Sequence, residues 1–188
     1  MFFNTVSIQK KYFIEIAKIQ STNIPLFFVG MMGSGKTTLG RVIAQVLQYD
    51  FIEMDMVIEE RLGISIKEIF ENYGEEYFRK EEKKLLEEIC LKQNCVISCG
   101  GGVFTNSDNI EKIGKSGIAI FLNVSSRVLE ERLSGDEKRP LLKENSIHKI
   151  LLKRIPFYTQ AHVMVDLVVS NLEKNVCQVI EEIYRYLS

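Results

Sequence analysis

A short apolar run, Leu26-Phe27-Phe28-Val29, enters Gly30-Met31-Met32-Gly33-Ser34-Gly35-Lys36-Thr37 and passes directly into a segment of helical period. This instance of G-x-x-x-x-G-K-[ST], held between a strand and a helix, restricts the chain more than any other feature. Glycines let the backbone curl so that successive N–H groups and the helix N-terminus point at phosphate oxygens, whose approach a side chain would block. Lys36 brings a point charge for β- and γ-phosphates, and the Thr37 hydroxyl is the expected ligand of a magnesium ion, which prefers oxygen. The alternative is a glycine-rich turn that happens to end in Lys-Thr, and the flanking strand and helix weigh against it.

From Pro25 onward, short apolar runs alternate with longer helical segments, the pattern of a parallel sheet covered by helices. The strands read as Leu26 to Val29, Asp50 to Glu53, Cys95 to Ser98, Ile118 to Leu122 and Val163 to Val169. Between them the helices read as Lys36 to Gln48, Ile66 to Asn72 behind the capping box Ser65-x-x-Glu68, Glu75 to Lys92, Asn106 to Lys115, Ser126 to Leu133, Ser146 to Gln160 and Leu172 to Leu187. About forty residues separate the second strand from the third, too many for one crossover. That implies an inserted helical lobe, about 54–92, able to hold a substrate. Residues 134–145, SGDEKRPLLKEN, have the composition of a lid. A single domain over 24–188 follows, preceded by a 1–23 extension that reads as a short helix outside the core.

Composition removes other classes. With 24 Lys+Arg against 25 Asp+Glu, the net charge of -1 leaves no overall field for nucleic acid or an anionic membrane, so an anion must be held locally. No run approaches the roughly 18 apolar residues that span a bilayer. The first residues fit neither a secretory signal nor a transit peptide, and four cysteines without a C-x-x-C pair read as reduced thiols, so a cytoplasmic location is expected.

Beyond the loop, no Asn-Lys-x-Asp guanine reader occurs, and the third strand runs into Cys99-Gly100-Gly101-Gly102, where a ligand can approach the main chain. Phosphoryl transfer to a small acceptor is the economical reading. Asp55 stands where open α/β sheets place ligands, and reads either as the base that takes an acceptor's proton or as a helix cap. Arg79 lies in a charged helix where most cations are merely solvated, while Arg132, Arg139 and Arg154 surround or occupy the lid region. Phe70 and Phe78 read as core before they read as pocket walls, and His148 and His162 are assigned no chemistry.

Taken in order and at their spacings, GMMGSGKTT, EMDMVIEERLGISIKEIF, GEEYFRKEE, CGGGV, KRPLL and KRIPFY resemble the shikimate kinases from about Ile24 to the C-terminus. The resemblance implies a three-layer P-loop kinase fold with a five-stranded parallel sheet, and transfer of the ATP γ-phosphoryl to the 3-hydroxyl of shikimate, a step towards chorismate and the aromatic amino acids. It further implies Gly33, Ser34, Gly35, Lys36, Thr37 and Thr38 at the phosphates, with Thr37 on Mg2+. Asp55, Arg79, Gly101 and Arg154 fall at shikimate, Asp55 as base and the arginines on its carboxylate. Arg139 falls on the lid reaching ATP, beside Asp55 and Lys36 in the catalytic set, and Arg132 along the adenine. ATP and shikimate are then the partners of a monomer with no nucleic-acid or membrane partner. One departure stands out: Glu53 occupies a position where the family usually has aspartate. Gluconate or another small metabolite as acceptor, and an ATP-binding regulatory module without transfer, are the alternatives.

Overall fold

A computed structural model describes residues 4–133, 146–168 and 171–188. The expected lid, 134–145, and Arg139 within it lie outside the described residues. Five strands, β1 (Leu26–Val29), β2 (Asp50–Glu53), β3 (Cys95–Ser98), β4 (Ile118–Asn123) and β5 (Val163–Asp166), form one sheet in the order β2-β3-β1-β4-β5, every pair parallel. The last strand is shorter than the sequence suggests. Its ladder to β4 closes with Asn123 opposite Asp166, and the chain then turns away.

Parallel strands need helical crossovers, which bury both sheet faces, and the central strands are accordingly apolar throughout. Period-two alternation sorts their side chains between two cores. Phe27, Val29, Ile97, Ala119 and Phe121 face one layer, packed by α4 (Met54–Leu62), α5 (Ile66–Ile89), α6 (Ser107–Ser116), α7 (Ser126–Leu133) and α8 (Ile147–Tyr158). Leu26, Phe28, Val96, Ile118 and Ile120 face the other, packed by α3 (Lys36–Leu47) and α9 (Leu172–Leu187). Fully burying a phenylalanine such as Phe27 or Phe28 stabilises the fold by about 1.5–3 kcal/mol relative to exposure.

Where the sequence suggests two helices over 66–92, α5 is kinked at Gly74 (φ 81°, ψ 170°), a backbone region that only glycine enters easily. Its start is the capping box, with the Ser65 hydroxyl accepting from Glu68 N–H and the Glu68 carboxylate accepting from Ser65 N–H at 2.8 Å.

The extension departs from expectation. It forms two helices, α1 (Thr5–Lys11) and α2 (Phe13–Gln20), and is not outside the core. Ile8, Tyr12, Ile16 and Ile19 recur at helical spacing and are buried in the second core, against α3 and α9. Tyr12 also donates to Glu181 of α9 at 2.6 Å. The lysines and Glu15 that interrupt the apolar run merely mark the solvent face. No helix among the described residues is long and apolar enough to cross a membrane.

Candidate active site

The carboxyl ends of β1, β2 and β3 converge on one cleft of about 630 Å³, as expected where the chain order reverses across a parallel sheet. From the central strand comes the loop 30–35. Gly35, just before α3, has φ 95°, so its N–H can turn inward at the start of a helix whose first amides carry partial positive charge. Lys36, only 8% exposed, donates from Nζ to the carbonyls of Gly30 (3.0 Å) and Met31 (2.9 Å), and so lies along the loop. Gly33, Ser34, Gly35, Lys36, Thr37 and Thr38 all line the cleft. The Ser34 hydroxyl is buried without a hydrogen-bond partner among the described residues, a polar atom suited to an incoming oxygen ligand.

Beside the loop, Thr37 Oγ1 donates to Glu53 Oε1 at 2.6 Å and stands 3.3 Å from Ser98 Oγ. Glu53 is the N-cap residue of α4, yet its side chain makes no cap bond; it reaches Thr37 and, through its other oxygen, Arg41 at 3.2 Å. Asp55, in the first turn of α4, is therefore not the cap. It lines the cleft from the first turn of that helix.

The three consecutive glycines after β3 are packed against charged groups. A Cβ on Gly100 would collide with Glu82 Oε1 and stand 2.8 Å from Asp55 Oδ1. One on Gly101 would stand 3.0 Å from Arg154 Nη1, and one on Gly102 would overlap the Arg79 guanidinium. Side chains from α4, α5 and α8 are thereby brought together over a bare stretch of main chain. Four residues singled out from sequence, Asp55, Arg79, Gly101 and Arg154, meet here.

Arg79 is held on two edges. Its Nη1 donates to Glu82 Oε2 at 2.7 Å, and its Nε and Nη2 donate to the exposed Glu75 at 3.1 and 2.9 Å. Its guanidinium carbon lies 5.2 Å from the centre of the Phe78 ring, whose partner at 5.2 Å is Phe70, so these aromatics pack the base of the arginine. Arg154 Nη1 is buried without a hydrogen-bond partner among the described residues. A buried guanidinium edge of this kind matches a carboxylate, which accepts two parallel bonds.

Two contributors escape a reading by motif. Glu82 is 1% exposed; burial pushes its carboxyl above the usual range, against the pull of Arg79. The sequence does carry a signal, because Glu82 occupies the apolar stripe Phe78, Leu85, Leu86 and Ile89, where a carboxylate survives only with a partner. Tyr158, fully buried, donates to the Gly101 carbonyl at 2.6 Å and stacks on Phe121. Burial lifts its phenol to about 12, so the proton stays in that bond.

Arg132 also lines the cleft, donating from Nη1 to the Gly33 carbonyl at 2.9 Å. From the β5 edge come Leu167, Val168, Asn171, Leu172 and Asn175, which no motif had marked. His162 is structural: its Nδ1 accepts from Ala119 N–H at 2.9 Å, and burial holds its pKa below the ordinary value.

A sequence model of the shikimate kinase family matches residues 32–187. The shikimate kinase of Persephonella marina is 39% identical over 160 residues, covering 84% of this chain and 95% of its own. Among solved structures, a shikimate kinase from Acinetobacter baumannii in complex with shikimate superposes with a TM-score of 0.83 at 33% identity, covering 90% of this chain and 97% of its own. A gluconokinase from Sinorhizobium meliloti, at 21% identity and a TM-score of 0.57, shares the fold.

Proposed function

The chain belongs to the shikimate kinase family, and from that premise we propose that it transfers the γ-phosphoryl group of ATP to the 3-hydroxyl of shikimate, giving shikimate 3-phosphate and ADP. The observation that carries this reading is the meeting of Arg79, Arg154 and Asp55 over the three glycines, beside a phosphate loop in the same cleft. Two guanidinium groups beside the Asp55 carboxylate suit an acceptor that bears both a carboxylate and a hydroxyl to be activated.

The triphosphate lies along the amides of residues 33–38, with Lys36 at its β- and γ-phosphates. Arg79 and Arg154 grip the shikimate carboxylate, and the exposed Glu75 yields its place on Arg79. Glu82 keeps the other edge of that arginine fixed. Held this way, the acceptor presents its hydroxyl to Asp55, with the Gly101 main chain, pinned by Tyr158, as a further contact. The hydroxyl oxygen attacks the γ-phosphorus as the bond to the β,γ-bridging oxygen breaks. ADP leaves with that electron pair, and the hydroxyl proton passes to Asp55. Positioning and charge stabilisation do most of the work, because this transition state needs little covalent help from the protein. Membership of the family supports Arg139, outside the described residues, as a further cation for the transferring group, and Arg132 as the side chain along the adenine.

Kinases of this family use a divalent metal with ATP. Thr37, Glu53 and Ser98 gather oxygens of the kind magnesium prefers, which fits an ion that takes few protein ligands beside phosphate. Thr37 would hold the ion, with Glu53 beside it as a further oxygen donor. The chemistry it supplies when bound is neutralisation of charge on the β- and γ-phosphate oxygens. The protein acts as a monomer in the cytoplasm, with ATP and shikimate as its partners.

The test is ADP release from magnesium-ATP with shikimate, gluconate or AMP as acceptor. Release with shikimate alone is expected. Release with gluconate would move the chain to another acceptor, and binding of ATP with no acceptor-dependent ADP would leave only a regulatory module.

A further inference from the structure

The base-holding end of the cleft is the part that no sequence motif identifies. With phosphates at β1 and the acceptor at the ends of β2 and β3, the remaining room in the cleft lies at the opposite edge of the sheet, where β5 ends. Leu167, Val168 and Leu172 line it there with apolar side chains, as suits one face of a purine, beside the amides of Asn171 and Asn175. The backbone carrying those side chains has just lost its ladder. Leu167 N–H bonds to the Asn123 carbonyl at 3.0 Å, and Val168 has no ladder partner among the described residues.

Asn175 takes the place of that partner. It sits one turn inside α9, 8% exposed, after the true cap, Asn171, whose side chain accepts from Lys174 N–H at 2.9 Å. Its Oδ1 accepts from Val168 N–H at 2.8 Å and its Nδ2 donates to the Val168 carbonyl at 3.0 Å. Both backbone groups of one residue are thus bound by one carboxamide, which imitates a neighbouring peptide. Leucine would fill the same space with neither bond, and aspartate would keep the acceptor but set a carboxylate against the carbonyl. Val168 and Asn171 also line a second cavity, of about 740 Å³, that reaches Lys11 and Tyr12 of the N-terminal helices. Core packing does not call for asparagine at 175; holding a wall between two open spaces does.

We infer that Asn175 is a positioning residue for the nucleotide: through Val168 it fixes the wall on which the base rests. This rests on the kinase reading, because it presumes that the cleft takes a nucleotide. The consequence is a split between the two ends of the ligand. In Asn175→Leu, the dissociation constant for magnesium-ADP rises about tenfold, equivalent to ~1.4 kcal/mol. Binding of magnesium-tripolyphosphate, which lacks a base, stays as in wild type, and KM for shikimate at saturating ATP is unchanged.

Calorimetric titration of wild type, Asn175→Leu and Asn175→Asp with both ligands reads this directly. Equal weakening of both ligands, or a lowered melting temperature with ADP affinity intact, would overturn it. A readout on the wild-type protein needs no variant: the Asn175 side-chain amide resonances shift with ADP and not with tripolyphosphate, and identical responses would also overturn the proposal. Failure of the wild-type protein to bind ADP at all would instead sink the kinase reading, and the inference with it.

Discussion

Asp55→Asn lowers kcat for shikimate phosphorylation by roughly 10²- to 10⁴-fold, the usual worth of a positioned general base, while ADP binding changes little. Asparagine keeps the shape and one acceptor oxygen but cannot take a proton from the attacking hydroxyl. The side chain sits beside Gly100 and belongs to α4, not to the phosphate loop, so its loss removes none of the amides that hold phosphate. Steady-state kinetics with shikimate, together with calorimetric ADP titration, separate the two effects. Equal loss of turnover and ADP binding would show that Asp55 shapes the loop and does not serve the acceptor. Unchanged turnover would remove the base from the mechanism.

Lys36→Met carries the second large expected effect, a loss of roughly 10²- to 10³-fold in kcat, comparable to removing one preorganised donor from developing charge. Methionine fills most of the volume that Lys36 occupies, so the 8%-exposed position stays packed, but the bonds to the Gly30 and Met31 carbonyls disappear with the charge. Two consequences are expected together: the loop loses an internal brace, and the phosphates lose their cation. Weaker ADP binding therefore accompanies slower transfer, in contrast to Asp55→Asn, and shikimate binding alone stays near wild type. Wild-type turnover in Lys36→Met would contradict a phosphate-holding role for the loop.

The sheet was readable because its central strands are short, largely apolar on both faces and bounded by glycine or polar turns. Leu26 to Val29 and Cys95 to Ser98 have no other plausible place than the centre of a covered sheet. Helix boundaries were nearly as legible wherever chemistry marks them, as at Ser65-x-x-Glu68 and Gly74. The extension was misread because periodicity tells which face of a helix is buried but not what buries it. Ile8, Tyr12, Ile16 and Ile19 form a stripe in the sequence, while the surface they cover is assembled from α3, about twenty residues on, and from α9 near the far end of the chain.

Within the site, legibility follows the same divide. Gly30 to Thr37 identifies itself, because one continuous segment supplies both curvature and charge. Arg79 and Arg154 become distinguishable from solvated cations only when α5 and α8 bring them onto Gly102 and Gly101. Glu82 was hidden among neighbouring charges in FRKEE, and Asn175 among ordinary helix residues. Their significance depends on partners, the Arg79 guanidinium and the Val168 backbone, that only the folded chain sets beside them.

Phosphorus-31 NMR of the protein with magnesium-ATP and shikimate gives the most direct reading of where the phosphoryl group goes. One new phosphomonoester resonance, coupled to the ring proton at carbon 3 and growing in step with ADP, is the expected result. ATP consumed to inorganic phosphate, or an ester on a different ring oxygen, would contradict an acceptor held by Arg79 and Arg154 with its 3-hydroxyl at Asp55.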